Sequence, residues 1–140
     1  MTTKKLGDFG EEKAVQYLRR KGYKILERNF FLRASAGPKI AEIDIIAKKS
    51  DIFVFVEVKT IKHYPKLYYL PQDKVNQQKL WKIAKAAETW FMKNKIIPYK
   101  VKWQIDVITV EVFQYDRRKI IETLFGPKTK ISHFPNVSAY

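Results

Sequence analysis

Ile40-Ala41-Glu42-Ile43-Asp44-Ile45-Ile46-Ala47 and Ile52-Phe53-Val54-Phe55-Val56-Glu57-Val58-Lys59 are the two segments that decide the fold. Both are strongly apolar and rich in β-branched and aromatic residues, and Lys49-Ser50-Asp51 turns the chain between them. That pattern predicts a β-hairpin. Side chains alternate along a strand, so Glu57 and Lys59 share a face. With Asp44 opposite Glu57, the two carboxylates and the lysine converge at one place. Charges at the ends of apolar strands are expensive to bury without compensation. Two hard carboxylates can hold a divalent cation, and an ammonium beside them can face an anionic reacting group. The Phe53–Val56 run is apolar on both faces, which marks a central strand covered from each side.

The chain has 140 residues, enough for one domain with its own core. We expect a single domain over residues 1–140, with 126–140 a mostly irregular tail. The 28 Lys and Arg outnumber the 14 Asp and Glu, for a formal charge of +14. Such an excess suits a polyanion, chiefly nucleic acid, and equally a solvated lysine-rich surface. The acids within apolar strands favour the nucleic-acid reading. There are no cysteines, which excludes disulfides and thiolate metal sites. The first residues lack a signal-like apolar stretch, and no apolar run is long enough for a bilayer, so a cytoplasmic protein without membrane contact is expected.

Outward from the hairpin, residues 4–21 show helical spacing of Leu6, Phe9, Gly10, Ala14, Tyr17 and Leu18, with Gly22 placed to end the helix. Tyr23–Phe31 reads as a strand and Arg33–Lys39 as a loop. A second amphipathic helix is predicted from Asp73 to Asn94, on the stripe Val75, Leu80, Ile83, Ala84, Ala87 and Phe91. Lys102–Val112 and Ile120–Phe125 read as strands, with a turn at Tyr115–Arg118. Helix, three strands, helix and two strands give an α/β layered domain, a mixed sheet flanked by helices.

Hydrolysis of a phosphodiester needs an activated water, neutralised charge at phosphorus and a stabilised leaving oxygen. Asp44 and Glu57 are the expected ligands for Mg²⁺, or for Mn²⁺ in its place, and the Val58 carbonyl is a candidate third. An ammonium held between carboxylates and phosphate is a poor base, so Lys59 is assigned an electrostatic role. Lys62 and Lys66, interleaved with His63, Tyr64, Tyr68 and Tyr69, suit backbone contacts and base stacking; the same tyrosines equally suit inward packing. Asp106 on its apolar strand is expected to pair with a lysine or arginine. His63 and His133 lack metal-ligand spacing, and each is assigned to a loop or surface.

These residues resemble the PD-(D/E)XK nuclease superfamily and, more closely, the YraN-type endonuclease-like family. The similarity runs through Gly10-Glu11 with Ala14, Leu18 and Gly22-Tyr23, through Glu42–Ala47 and Val54–Thr60, through Lys79 with Ala86-Ala87, through Ile105–Ile108 and on to Ile131–Asn136. It implies a restriction-endonuclease-like core and action on DNA. It also implies that Glu11 joins Asp44, Glu57 and Lys59 in the catalytic set, where an acid early in a helix otherwise just meets the macrodipole. Lys79 is implied as a nucleic-acid contact instead of a solvated helix lysine. The chain departs from the family's pattern at Ala41, in a lengthened Arg33–Lys39 loop and after Thr60, which touches substrate handling more than the metal ligands. Two functions follow as expectations. One is a Mg²⁺-dependent endonuclease on DNA, branched or structured DNA included, as monomer or homodimer. The other is a non-catalytic nucleic-acid-binding module on the same fold. A scaffold whose basic face meets an acidic protein is a third and weaker reading.

Overall fold

The computed structural model describes residues 2–63, 76–113 and 126–137. Their order is α1 (Thr3–Arg20), β1 (Lys24–Arg33), β2 (Lys39–Lys49), β3 (Ile52–His63), α2 (Gln77–Lys93), a 3-10 turn at Pro98–Lys100, β4 (Lys102–Phe113) and β5 (Thr129–Phe134). The strands form one five-stranded sheet in the order β1-β2-β3-β4-β5. β3 and β4 are parallel and the remaining neighbours antiparallel. This is the α/β arrangement, a mixed sheet flanked by helices, that the strand and helix pattern implies, and it is consistent with the restriction-endonuclease-like core that the resemblance implies.

Each helix begins where a side chain takes up a free backbone N–H: Thr2 accepts from Lys5 N, and Asn76 from Lys79 N. Gly22 ends α1 at φ +90°, a left-handed conformation that spares glycine the usual Cβ clash, and Tyr23 N returns to the Leu18 carbonyl. α1 lays Ala14, Val15 and Leu18 on one face of the sheet against Val54, Val56, Ile108 and Val110. α2 lays Ile83, Ala87, Trp90 and Phe91 on the other against Phe53, Phe55 and Ile105. The central strands β3 and β4 are therefore buried from both sides.

Several boundaries differ from the sequence expectation. β1 runs on to Arg33, so the loop before β2 is shorter than the Arg33–Lys39 stretch suggested. The segment from Gly126, expected to be mostly irregular, contributes β5, which pairs with β4 from Val107↔Phe134 to Val112↔Thr129. The strand expected at Ile120–Phe125, the turn at Tyr115–Arg118 and the first residues of the Asp73–Asn94 helix lie outside the described residues.

Besides the register shifts of β1 at Ile25/Glu27 and Leu32/Arg33, the sheet has an irregularity that positions the candidate site. Ala41 and Ile43 of β2 pack on the α2 side, yet Ile45 and Ala47 pack on the α1 side. Strict alternation would keep all four on one face. The change of face falls at Asp44. Opposite it in register on β1 is Asn29, between the Arg28↔Ile45 and Phe30↔Ile43 pairs, at φ +54°. Asn tolerates this left-handed conformation better than most residues. Both strands thus kink at the same level and stay paired.

Candidate metal centre

The β2–β3 ladder ends at Ile45↔Val56, and the next positions are Asp44 and Glu57. At this fork the Asp44 carboxylate accepts the Val58 N–H at 2.7 Å, in place of a backbone partner. In an extended residue the carbonyl projects to the same strand edge as the N–H. The Val58 carbonyl therefore faces the fork as well, where β2 offers no ladder donor.

The kink leaves Asp44 open to both faces of the sheet. On the α2 side an open cavity of about 380 Å³ is lined by Asp44, Glu57, Glu42, Asn76, Lys79 and Lys82, among others. On the α1 side another, of about 370 Å³, is lined by Asp44, Glu11, Asn29, Glu42, Val58 and Thr60, with Lys4 at its rim. Asp44 and Glu57 thus share a cavity, as the hairpin reading required. Glu11 meets Asp44 in the other cavity, across the sheet from Glu57.

Electrostatics follow from this crowding. Burial, first, and then repulsion by Glu57 push the Asp44 carboxyl up to about 7, against the pull of the Val58 hydrogen bond. Glu11 and Glu42 add to the rise. Glu57 is buried, and its carboxylate is ion-paired with the Lys79 ammonium from α2. Lys79, the expected nucleic-acid contact, lies in this structure against the Glu57 carboxylate. Lys59 is half-buried on β3, two residues beyond Glu57 in an unbroken ladder with β4, and so projects to the α2 side with it. Lys62 is half-buried near the end of β3, and Lys66 lies outside the described residues.

Glu11 is held firmly. Its carboxylate accepts from Arg28 Nε at 3.2 Å and from Asn29 Nδ2 at 3.1 Å, while Arg28 also reaches Glu12 at 3.0 Å. The placement begins one residue earlier: a Cβ on Gly10 would stand 1.8 Å from Thr60 Oγ1. Only glycine lets α1 approach β3 this closely, and the approach brings Glu11 to the fork. Sequence reasoning placed Gly10 on the helix's apolar stripe without seeing this role, and it missed Asn29 altogether. The available signals were a glycine inside a helix, where it is unfavourable, and an asparagine interrupting an apolar strand.

The donor set is hard oxygen: two carboxylates and a carbonyl, with the Asp44 carboxyl raised by burial and then by Glu57. That chemistry fits Mg²⁺ or Mn²⁺. Among the described residues no group of three or more His, Cys, Asp or Glu side chains is arranged as a metal site. The candidate set is of another kind, two side chains completed by backbone.

Two expectations are corrected. Asp106, fully buried, pairs with neither lysine nor arginine among the described residues; His133 Nε2 lies 2.7 Å from it, and Gln104 and the Asn136 N–H donate to it at 2.9 Å. His133 is accordingly no loop or surface residue: it sits on β5, with its Nδ1 3.2 Å from the Tyr17 hydroxyl of α1. His63 ends β3, pairs with Glu111 at 2.8 Å and stacks on Phe113. Its partner lies on β4, a contact that the loop-or-surface assignment did not anticipate.

The profile of the uncharacterised protein family UPF0102 matches residues 10–110. The chain is 46% identical over 110 residues to a UPF0102 protein of Fervidobacterium nodosum, covering 76% of this chain and 74% of that one. It is 41% identical over 107 residues to a UPF0102 protein of Clostridium kluyveri, covering 76% and 80% respectively. A UPF0102 protein of Clostridium botulinum is 43% identical over 107 residues, with the same coverage. The matched span contains α1 from Gly10, the hairpin with Asp44 and Glu57, α2 and most of β4. This chain belongs to the uncharacterised protein family UPF0102, the YraN-type family of PD-(D/E)XK-like nuclease fold.

Proposed function

We propose that this protein is a Mg²⁺-dependent endonuclease that hydrolyses phosphodiester bonds in DNA, with branched or structured DNA among its substrates. The observation that carries the reading is Asp44 and Glu57 lining one cavity at the fork of β2 and β3, with Asp44's carboxyl pushed up to about 7. A buried Asp44 carboxyl raised by burial and by the neighbouring Glu57 is what a dication would return to its ionised form. Asp44, Glu57 and the Val58 carbonyl would hold it. When bound, the cation supplies charge neutralisation at phosphorus and a more acidic water. The chain's own groups do the rest. Lys59 faces the same side as Glu57 and stabilises charge developing on the phosphate oxygens. Glu11 orients groups from the α1 side of Asp44, fixed by Arg28 and Asn29. Lys79, ion-paired with Glu57, would be released to meet a phosphate were that carboxylate to hold a cation.

The net charge of +14 supports a polyanionic substrate. Among the described residues no helix is long and apolar enough to cross a membrane, and we place the protein with cellular DNA in the cytoplasm. A non-catalytic binding module is the second reading, favoured by the Lys79–Glu57 ion pair, which already neutralises one acid. One experiment separates the two: a cleavage screen over single-stranded, duplex, flap and four-way-junction DNA with Mg²⁺ or Mn²⁺, beside calorimetric metal binding. Metal binding with cleavage supports the enzyme. DNA binding without metal binding or cleavage supports the module.

A further inference from the structure

The hairpin of β1 and β2 outruns the rest of the sheet. β2 leaves β3 at Ile45↔Val56, but its pairing with β1 continues to Arg33↔Lys39. Six residues past the fork, at roughly 3.3 Å each, make an arm of about 20 Å. Its α2-side residues Phe30, Leu32, Ala41 and Ile43 pack against the core, which fixes the arm in place. The opposite side is open. There Phe31 is 39% exposed, with the Arg33 guanidinium 5.0 Å and the Lys39 ammonium 4.5 Å from its ring centroid. In register with Phe31 is Glu42, which rims both cavities that contain Asp44.

Three features of this face are hard to attribute to stability alone. The aromatic ring stays partly in water instead of entering the core. Both cations are drawn to one spot, where they repel each other, and the one acid nearby is a loose partner, with Lys39 Nζ 3.8 Å from Glu42. The face also runs directly into the fork. An aromatic ring that holds two cations side by side presents a sugar-phosphate backbone with charge for successive phosphates and an apolar surface for the sugars or an opened base. A two-stranded ribbon is also narrow enough for a DNA groove.

We propose that the open face of this arm, Phe31 with Arg33 and Lys39, is a contact surface for duplex nucleic acid on the flank of the fork at Asp44 and Glu57. This rests on the nuclease reading above and adds to it the place where the substrate's flank lies.

The test is a salt titration of binding to a labelled DNA duplex in the presence of chelator, so that no cleavage intervenes. The parent is compared with R33Q/K39Q and with K24Q/K102Q, which removes the same charge at the opposite end of the sheet. Each lost phosphate contact lowers the slope of log affinity against log salt by about 0.9. The arm variant is therefore expected to lose about 1.8 of slope and the control almost none, with the unfolding temperature and Mn²⁺ affinity of each unchanged. K39Q alone, at a half-exposed site, keeps the test open should the double variant fold poorly, with an expected loss of about 0.9. Equal slopes for arm variant and control overturn the proposal, as does an effect on sedimentation in place of DNA binding, which would mark a contact between copies of the chain. Failure of the parent itself to bind duplex at low salt would instead remove the DNA reading and this inference with it.

Discussion

Asp44 holds its position because two strands kink together. The kink turns a side chain that would otherwise face one helix toward both cavities, and its carboxylate accepts the Val58 N–H in place of a ladder carbonyl. The result is an acid whose ordinary value of 3.8 rises to about 7, through burial and then Glu57. A carboxyl raised in the fold binds its proton more tightly there than in the unfolded chain. Its contribution to stability is therefore fully present below 3.8 and is lost as pH climbs through about 7. Asp44→Asn removes that loss while keeping an acceptor for Val58. In chelator it should match the parent near the lower value and exceed it above the upper one, by about 1–3 kcal/mol after allowance for partial exposure. Thermal unfolding across the pH range checks this; equal stability at every pH would mean that Asp44 ionises without strain. Dication binding below about pH 7 should also release a proton, since the ligand must be ionised.

The elements were legible in the sequence to different depths. Apolar runs rich in β-branched and aromatic residues located β2, β3 and β4, and period-3.6 stripes located both helices. Glu57 was legible because an acid at the end of a two-faced apolar strand has few structural reasons to be there. The kink was not, since alternation counts residues and cannot see a left-handed Asn29 on the neighbouring strand. Nor was the Asp106 cluster: Asp106 and His133 are 27 residues apart, and they meet only because β5 pairs beside β4. There the buried acid ties together β4, β5 and, through His133 and Tyr17, α1. Asp106→Ala would leave His133, Gln104 and the Asn136 N–H without their acceptor. A loss on the order of 3–5 kcal/mol is expected, the scale of breaking a buried charged network. Urea unfolding measures it, and a loss under about 1 kcal/mol would mean that β5 is held by its ladder alone.

At the scale of the whole molecule, a net charge of +14 accompanies a small acidic fork. Under the proposed function, the +14 charge would draw a polyanion in, and a dication at the fork would offset the repulsion between acid and phosphate. DNA binding should consequently weaken steeply with added salt, whatever the sequence of the duplex; salt-insensitive binding would argue against backbone contacts. Lys59→Ala should leave metal affinity near that of the parent and slow turnover by about 10²–10³, the scale of losing one preorganised electrostatic group. The most direct measurement is single-turnover cleavage by the parent and by Glu57→Gln on the best DNA substrate with Mg²⁺ or Mn²⁺, with metal and DNA binding followed in parallel. Glu57→Gln is predicted to bind metal weakly, to bind DNA as well as the parent or better, and to cleave nothing. Cleavage by Glu57→Gln at the parent rate would contradict the assignment of the fork as the catalytic metal centre.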